Sequence, residues 1–163
     1  MRGDACARAR THRHTRNEGG AAAVEFALVV PFLVLLVFGI ISYGYMLSFR
    51  QAMSQGAAEG ARAAAVAPAS YSDADVRTAA LNAVNEALGN YGVSCDGTSL
   101  RLNGASAGTC GVTVGACVGN TSQQCASVSL SYLYKDHAPI PTFPGVGIAM
   151  PTSLSYSSTA EVS

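Results

Sequence analysis

The sequence predicts an α+β fold, in which a long N-terminal transmembrane helix continues into a small extracytoplasmic domain. In that domain we expect a second helix packed on an antiparallel sheet of three or four strands. Three observations predict this fold. Residues 26–49 are uncharged and mostly apolar, residues 50–88 are alanine-rich with helical periodicity, and residues 93–163 are rich in Ser, Thr and Gly with alternating apolar residues.

The basic residues are concentrated in the leader, residues 1–20, which we expect to lie in the cytoplasm. The leader holds five arginines against two acidic residues, whereas the remainder holds five basic and eight acidic residues. A basic head followed by an apolar run is a targeting pattern, and it places the chain after residue 50 on the outer side of the membrane. Because the apolar run would carry the head to a bilayer, we expect no nucleic-acid partner, although an arginine-rich tail alone can bind one.

The first helix is predicted over residues 21–66, with a transmembrane span at about 26–49. Those 24 uncharged residues would form a helix about 36 Å long, which exceeds the roughly 30 Å hydrocarbon core. The run is too long for a secretory signal, although Ala-x-Ala sequences after it keep removal there open as an alternative. Pro31 predicts a kink near residues 27–31, and Pro68 predicts the helix end.

Small residues recur at a spacing of four in the second half of this helix, at Gly56, Gly60 and Ala64. That spacing lets two helices approach closely. The alternative is an alanine-rich helix that rests on its own domain, and the two interpretations are compatible.

The folded part is predicted over residues 69–163. Its second helix, at 69–92, has Ser72 as a candidate cap and one apolar face. Asn85 falls on the opposite, polar side of that helix. Four later segments read as strands: SLRL, GVTV, ASVSLSYLY and SLSYSSTAEV.

Four of the five cysteines, Cys95, Cys110, Cys117 and Cys125, cluster within 31 residues of the second half. In a small extracytoplasmic domain such a set predicts two disulfides, and the short loop CVGNTSQQC favours Cys117 with Cys125, leaving Cys95 with Cys110. A four-thiolate zinc site is the alternative, although its cysteine pairs are usually two to four residues apart. We expect no metal and no cofactor.

Glu25 lies next to the apolar run, where a charged carboxylate costs around 3 kcal/mol or more. It either reaches the headgroup layer or pairs with a cation. A cut after Gly20 would create that cation, because Ala21 would carry a free α-ammonium and Glu25 would become the fifth residue. A neighbouring copy could then bring its ammonium to this glutamate.

RNEGG followed by AAAVEFALVVPFLVLL resembles type IV-like prepilins, and residues 21–65, through EGARAAA, resemble the TadE-like pseudopilins of the tight-adherence (Flp) pilus system. The resemblance implies cleavage by a prepilin peptidase at the Gly20–Ala21 bond; Gly19 is a second candidate. It also implies a minor pilin-like component that supports pilus assembly, adhesion and biofilm formation. The implied partners are other pilins, the assembly platform and the lipid bilayer.

Two other classes of function stay open. An uncleaved, membrane-anchored binding module would keep residues 1–20 in the mature chain. An enzyme would need a nucleophile motif or metal-ligand spacing, and neither accompanies Asp136, His137 or Glu161. We therefore expect a structural protein and no enzyme.

Overall fold

The computed structural model of the chain describes residues 18–68, 70–140 and 150–162. The described residues form two compact units, one ending at Val37 and one beginning at Phe38. The elements are, in chain order, α1 (Glu18–Ala65), α2 (Asp73–Gly89), β1 (Val93–Cys95), β2 (Ser99–Leu102), β3 (Ala105–Cys117), β4 (Asn120–Tyr132) and β5 (Leu154–Val162). The predicted α+β class is confirmed, with a candidate membrane helix.

The sheet has five strands, so the expectation of three or four was wrong. The missed strand is β1, which has only three residues and follows closely on α2. Three residues are too few for a recognisable alternation of apolar and polar side chains. The pairing of Val93, Ser94 and Cys95 with β2 is therefore decided by the tertiary structure.

Helix α1 begins three residues earlier than predicted and runs unbroken through Pro31. The expected kink stays a prediction. At the other end, the Val66 amide donates to the Arg62 carbonyl at 3.0 Å. Pro68 has no amide hydrogen and cannot continue the helix.

Helix α2 begins at Asp73, four residues later than predicted, because the chain first makes a turn in which the Tyr71 amide donates to the Pro68 carbonyl. Ser72 is the N-cap of a capping box. The Asp75 amide donates to Ser72 Oγ, and the Ser72 amide and hydroxyl donate to the Asp75 carboxylate. These bonds satisfy amides that the first helical turn leaves free.

The sheet is an antiparallel meander in the order β1-β2-β3-β4-β5. Asn103 and Gly104 join β2 to β3 with φ angles of 49° and 88°, the left-handed backbone that a tight Asn-Gly hairpin requires. Gly119, with φ 88°, serves the turn between β3 and β4. Every connection between successive strands up to β4 is therefore short and local.

The two faces of the sheet differ in chemistry. Val112, Val128, Leu130 and Tyr132 are buried and belong to one core with residues of both helices. The opposite face carries rows of hydroxyls, such as the registered positions Thr113, Ser127 and Thr159. Apolar and polar side chains thus alternate along each strand, as a half-buried sheet requires.

Two disulfides tie the sheet together, Cys95–Cys110 and Cys117–Cys125. This is the pairing that the loop lengths favoured, and it uses all four cysteines of the described residues. The Asn85 side chain adds a clamp between α2 and β1, since it accepts from the Cys95 amide at 2.6 Å and donates to the Cys95 carbonyl at 3.2 Å.

Candidate functional site

The first half of α1 exposes large apolar side chains around its circumference. Phe26 is 71% exposed, Phe32 74% and Ile40 64%. The most apolar 18-residue window has a mean hydropathy of 2.8 and none of it is buried, unlike the core helix of a soluble protein. By length and composition this helix suits a membrane anchor, because leaving such side chains in water forgoes about 1.5–3 kcal/mol each.

The predicted processing residues lie at the start of this segment. Gly20 and Ala21 are exposed in the first turn of α1. A side chain added at Gly20 would meet nothing within 4 Å. In the described part of the chain, the Gly20–Ala21 bond is thus sterically open. Gly19, the second candidate, is also in this turn.

Glu25 lies in the second turn of α1 and is exposed. The ion pairs among the described residues are Glu59–Arg62 and Asp96–Arg101, so Glu25 has no cationic partner within that part of the chain. Residues four apart lie on one helix face, about 6 Å apart along the axis. An ammonium created at Ala21 would therefore lie one turn from this carboxylate, on the same face.

The second half of α1 begins to pack on protein at Ser42, which is 5% exposed, and continues through Met46, Phe49 and Met53. The predicted span of 26–49 therefore overlaps this packed half by about two turns. Beside this buried face, Tyr43 and Leu47 remain 51% and 42% exposed.

An aromatic cluster holds α1 to the sheet at this level. The ring of Phe49 contacts the rings of Tyr91, Tyr132 and Tyr134, with centroid distances of 5.2, 4.8 and 5.8 Å. Tyr45 lies edge-on to Tyr91 at 5.6 Å. Each such pair adds about 0.5–1.5 kcal/mol beyond burial, so the cluster fixes where the helix meets the domain.

Hydroxyl groups close this cluster with hydrogen bonds. Ser48 Oγ and the Tyr91 hydroxyl lie 2.6 Å apart, and the Tyr132 hydroxyl donates to the His137 carbonyl at 2.6 Å. Burial raises the pKa of Tyr132, and likewise that of Tyr134, to about 12. His137 is half-buried and contributes its main-chain carbonyl to this cluster.

The small residues of the four-residue repeat pack against α2. A Cβ added at Gly60 would lie 2.8 Å from Val84 Cγ2 and 3.3 Å from the Ala80 carbonyl oxygen. Gly56 faces Ala87 in the same way, and Ala64 is fully buried. The structure thus uses this stripe within the chain, as in the interpretation of a helix that rests on its own domain.

Sequence reasoning missed two contributors to this region. Asn85 was placed on the polar side of α2, yet it hydrogen-bonds the backbone of Cys95. Arg50 Nε donates to the hydroxyl of Tyr156 in β5. No periodicity signals either contact, because the partners are remote in sequence. Among the residues described, no group of three or more His, Cys, Asp or Glu side chains is placed to hold a metal ion.

Residues 20–62 match the family model described as TadE-like protein. No curated protein and no solved structure matches the chain. The family match covers the exposed half of α1, the candidate processing site, Glu25 and most of the packed half, and it ends before α2.

Proposed function

We propose that this protein is a minor pilin-like component of Tad (Flp) pilus assembly, because its residues 20–62 match the family model described as TadE-like protein. It is made as a membrane-anchored precursor with its N-terminus in the cytoplasm. A prepilin peptidase cuts the Gly20–Ala21 bond, and the folded domain lies on the outer side of the inner membrane.

One observation carries the proposal: a helix that exposes its apolar side chains has a lone carboxylate, Glu25, four residues beyond an open glycine–alanine bond. A membrane anchor alone needs no carboxylate there, and such residues in membrane segments usually serve a function. The position of Glu25 makes sense once cleavage provides a cation one turn away.

The pairing of Glu25 with an ammonium would direct helix-to-helix assembly. A carboxylate and an ammonium in hydrocarbon attract strongly, and each is costly to leave alone. A neighbouring copy or another pilin that brings its N-terminus to Glu25 relieves both costs at once. Gly56 and Gly60 face α2 and Ala64 is buried in the core, so we assign the contacts with other pilins to the exposed half of α1.

The folded domain makes this chain a minor component rather than a fibre-forming subunit. Its disulfides join strands within the sheet, the aromatic cluster holds the domain on the helix, and we assign it no catalytic role. Assembly of this component supports surface adhesion and biofilm formation. The lipid-covered stretch runs over residues 20–41, and on the open face of the helix it reaches Leu47.

Intact mass spectrometry of the protein from cells with and without prepilin peptidase tests the cut. We expect a mass reduced by residues 1–20 only when the peptidase is present. A full-length chain in both strains would favour an uncleaved, membrane-anchored binding module instead. Gly20→Lys should prevent this loss of mass. A cut after Gly19 would leave one additional glycine in the measured mass.

Glu25→Leu tests the pairing separately from the cut. Cleavage and membrane insertion should be normal, while the amount of pili sheared from the cell surface should fall, because the ammonium loses its partner. Glu59→Leu is the matched control, since Glu59 is exposed in the packed half of the same helix. Normal piliation in the Glu25 variant would contradict the pairing mechanism.

A further inference from the structure

A cleft opens beside α1 where the helix leaves its exposed apolar half. It has a volume of about 520 Å³ and lies between α1 and the start of β5. Tyr43, Met46 and Arg50 line it on the helix side, and Ser153, Ser155 and Tyr156 are among the residues on the other side. It therefore combines one cation and several hydroxyls with an apolar wall that also includes Met150 and Leu154.

Among the described residues that line this cleft, Arg50 is the only charged one. Its Nε group donates to the Tyr156 hydroxyl. The ion pairs of the described residues involve Arg62 and Arg101, so within that part of the chain no carboxylate lies within 4.0 Å of the Arg50 guanidinium. A guanidinium is always charged and has five N–H donors. Arg50 thus presents donors that suit an anion with several oxygen atoms.

The position of Arg50 along α1 indicates which kind of anion it binds. It is the first charged residue after Glu25, and it lies three residues after Leu47, the last exposed large hydrophobic residue of α1. Three residues correspond to about 4.5 Å along a helix, whereas the headgroup layer on each side of the hydrocarbon is roughly 5–7 Å thick. If hydrocarbon covers the helix to Leu47, Arg50 lies at the depth of the lipid phosphates.

We propose that this cleft binds the phosphate group of a phospholipid in the leaflet that faces the folded domain. Arg50 binds the phosphate oxygens through the guanidinium N–H groups that Tyr156 does not occupy, and the hydroxyl of Ser153 is available to donate as well, whereas Ser155 Oγ lies 2.9 Å from Ser131 Oγ and is already hydrogen-bonded. The acyl chains run from the cleft along Met46 and Tyr43 towards the exposed apolar half of α1. The bound lipid fixes the depth of the domain at the membrane surface.

The apolar wall favours a lipid over a soluble anion. Met46, Met150 and Leu154 would contribute nothing to binding free phosphate, but they bury the glycerol and upper acyl carbons of a lipid. The inference rests on the membrane anchorage of α1 and goes beyond a role in pili. It therefore stands or fails independently of prepilin cleavage.

The test is native mass spectrometry of the full chain purified in mild detergent with phosphatidylglycerol added. The wild type should retain one phospholipid, and Arg50→Gln should reduce the retained fraction about tenfold, as expected for loss of charge-assisted hydrogen bonds. Arg50→Lys should retain part of the binding, because it keeps the charge and loses the forked geometry. Arg77→Gln is the matched control, since Arg77 is an exposed arginine of α2 outside the cleft.

Phosphorus NMR with inorganic phosphate alone tests whether the cleft binds free phosphate rather than the phosphate of a phospholipid. We expect no broadening of the free phosphate signal by the lipid-free protein at millimolar concentration. Equal lipid retention in the wild type and Arg50→Gln would overturn the proposal. Arginine-dependent binding of inorganic phosphate without lipid, or a dimer lost on Arg50→Gln with no lipid retained, would also overturn it. Circular dichroism of each variant must match the wild type, which confirms that the fold is intact.

Discussion

The two halves of α1 differ in side-chain size: the first half exposes large side chains, and the second half buries mostly small ones. In residues 20–41 the large apolar side chains are exposed, as Phe26, Phe32 and Ile40 show. In residues 42–64 the buried positions are mostly small, including Ala57, Gly60 and Ala61. Large side chains suit a helix that lipid surrounds, whereas small ones let α2 approach closely. One continuous helix is therefore built for two environments.

The strongest test of the exposed half is to add charge to it. Leu33→Arg with Val37→Arg should weaken membrane insertion by about 5–7 kcal/mol, because each arginine at the centre of a span costs about 2.5–3.5 kcal/mol. The protein should then be lost from the membrane fraction after alkaline extraction. The matched pair Gln51→Arg with Gln55→Arg, at the same spacing on exposed positions of the packed half, should leave insertion unchanged. Equal behaviour of the two pairs would remove the distinction between the halves.

The packed half depends on a domain that two disulfides hold together. Replacing Cys95 and Cys110 by alanine should lower the free energy of unfolding by about 3 kcal/mol, and the same change at Cys117 and Cys125 by about 2.5 kcal/mol, because loop-closure entropy grows with loop length. The sequence separations are 15 and 8 residues. Thermal unfolding in detergent, followed by the near-ultraviolet circular dichroism of the tyrosines, measures both. A larger loss at Cys117–Cys125 would contradict the loop-length argument.

Replacing one glycine by leucine at a packed position and at an open position of α1 tests how closely each position is packed. Gly60→Leu should destabilise the domain by about 1–3 kcal/mol, since its Cβ already lies 2.8 Å from Val84 Cγ2. Gly44→Leu should leave domain stability nearly unchanged, because a Cβ there meets nothing within 4 Å. Chemical denaturation of the two variants in the same detergent gives the comparison. Equal destabilisation would mean that close packing on α2 does not require the glycine.

The smallest effect concerns the start of α2, which supports the packed half. Ser72→Ala should cost about 1 kcal/mol at neutral pH through loss of the N-cap. Hydrogen bonds from the Ser72 hydroxyl and amide lower the pKa of Asp75 below 3.8. Because the pKa of Asp75 is lower in the folded than in the unfolded state, its ionisation stabilises the fold at pH values above the unfolded-state pKa. This stabilisation is lost as the pH falls below about 3.8 and through the folded-state pKa. The difference between wild type and Ser72→Ala should thus shrink in acid, and a constant difference in pH-dependent melts would refute the coupling.

The elements with long periodic patterns were predictable, and the short or remote contacts were not. The apolar run, the alternation in β4 and β5, and the cap at Ser72 are local signals, because each arises from neighbouring side chains and a repeat of 2 or 3.6 residues. The extra turn before Asp73 and the three-residue strand β1 have no such repeat. The candidate processing site and Glu25 were visible as a motif, whereas the partner that we propose for Glu25 lies on another chain.

The sequence by itself determined the apolar helix, its isolated carboxylate, the two helices and the cysteine set, since composition and spacing suffice for these. Only the tertiary structure decided that the glycine stripe faces α2, that Asn85 clamps β1 and that Arg50 meets Tyr156 across a cleft. Those contacts join residues up to 106 positions apart. No local pattern encodes such a distance, because it is fixed by how the helices lie on the sheet.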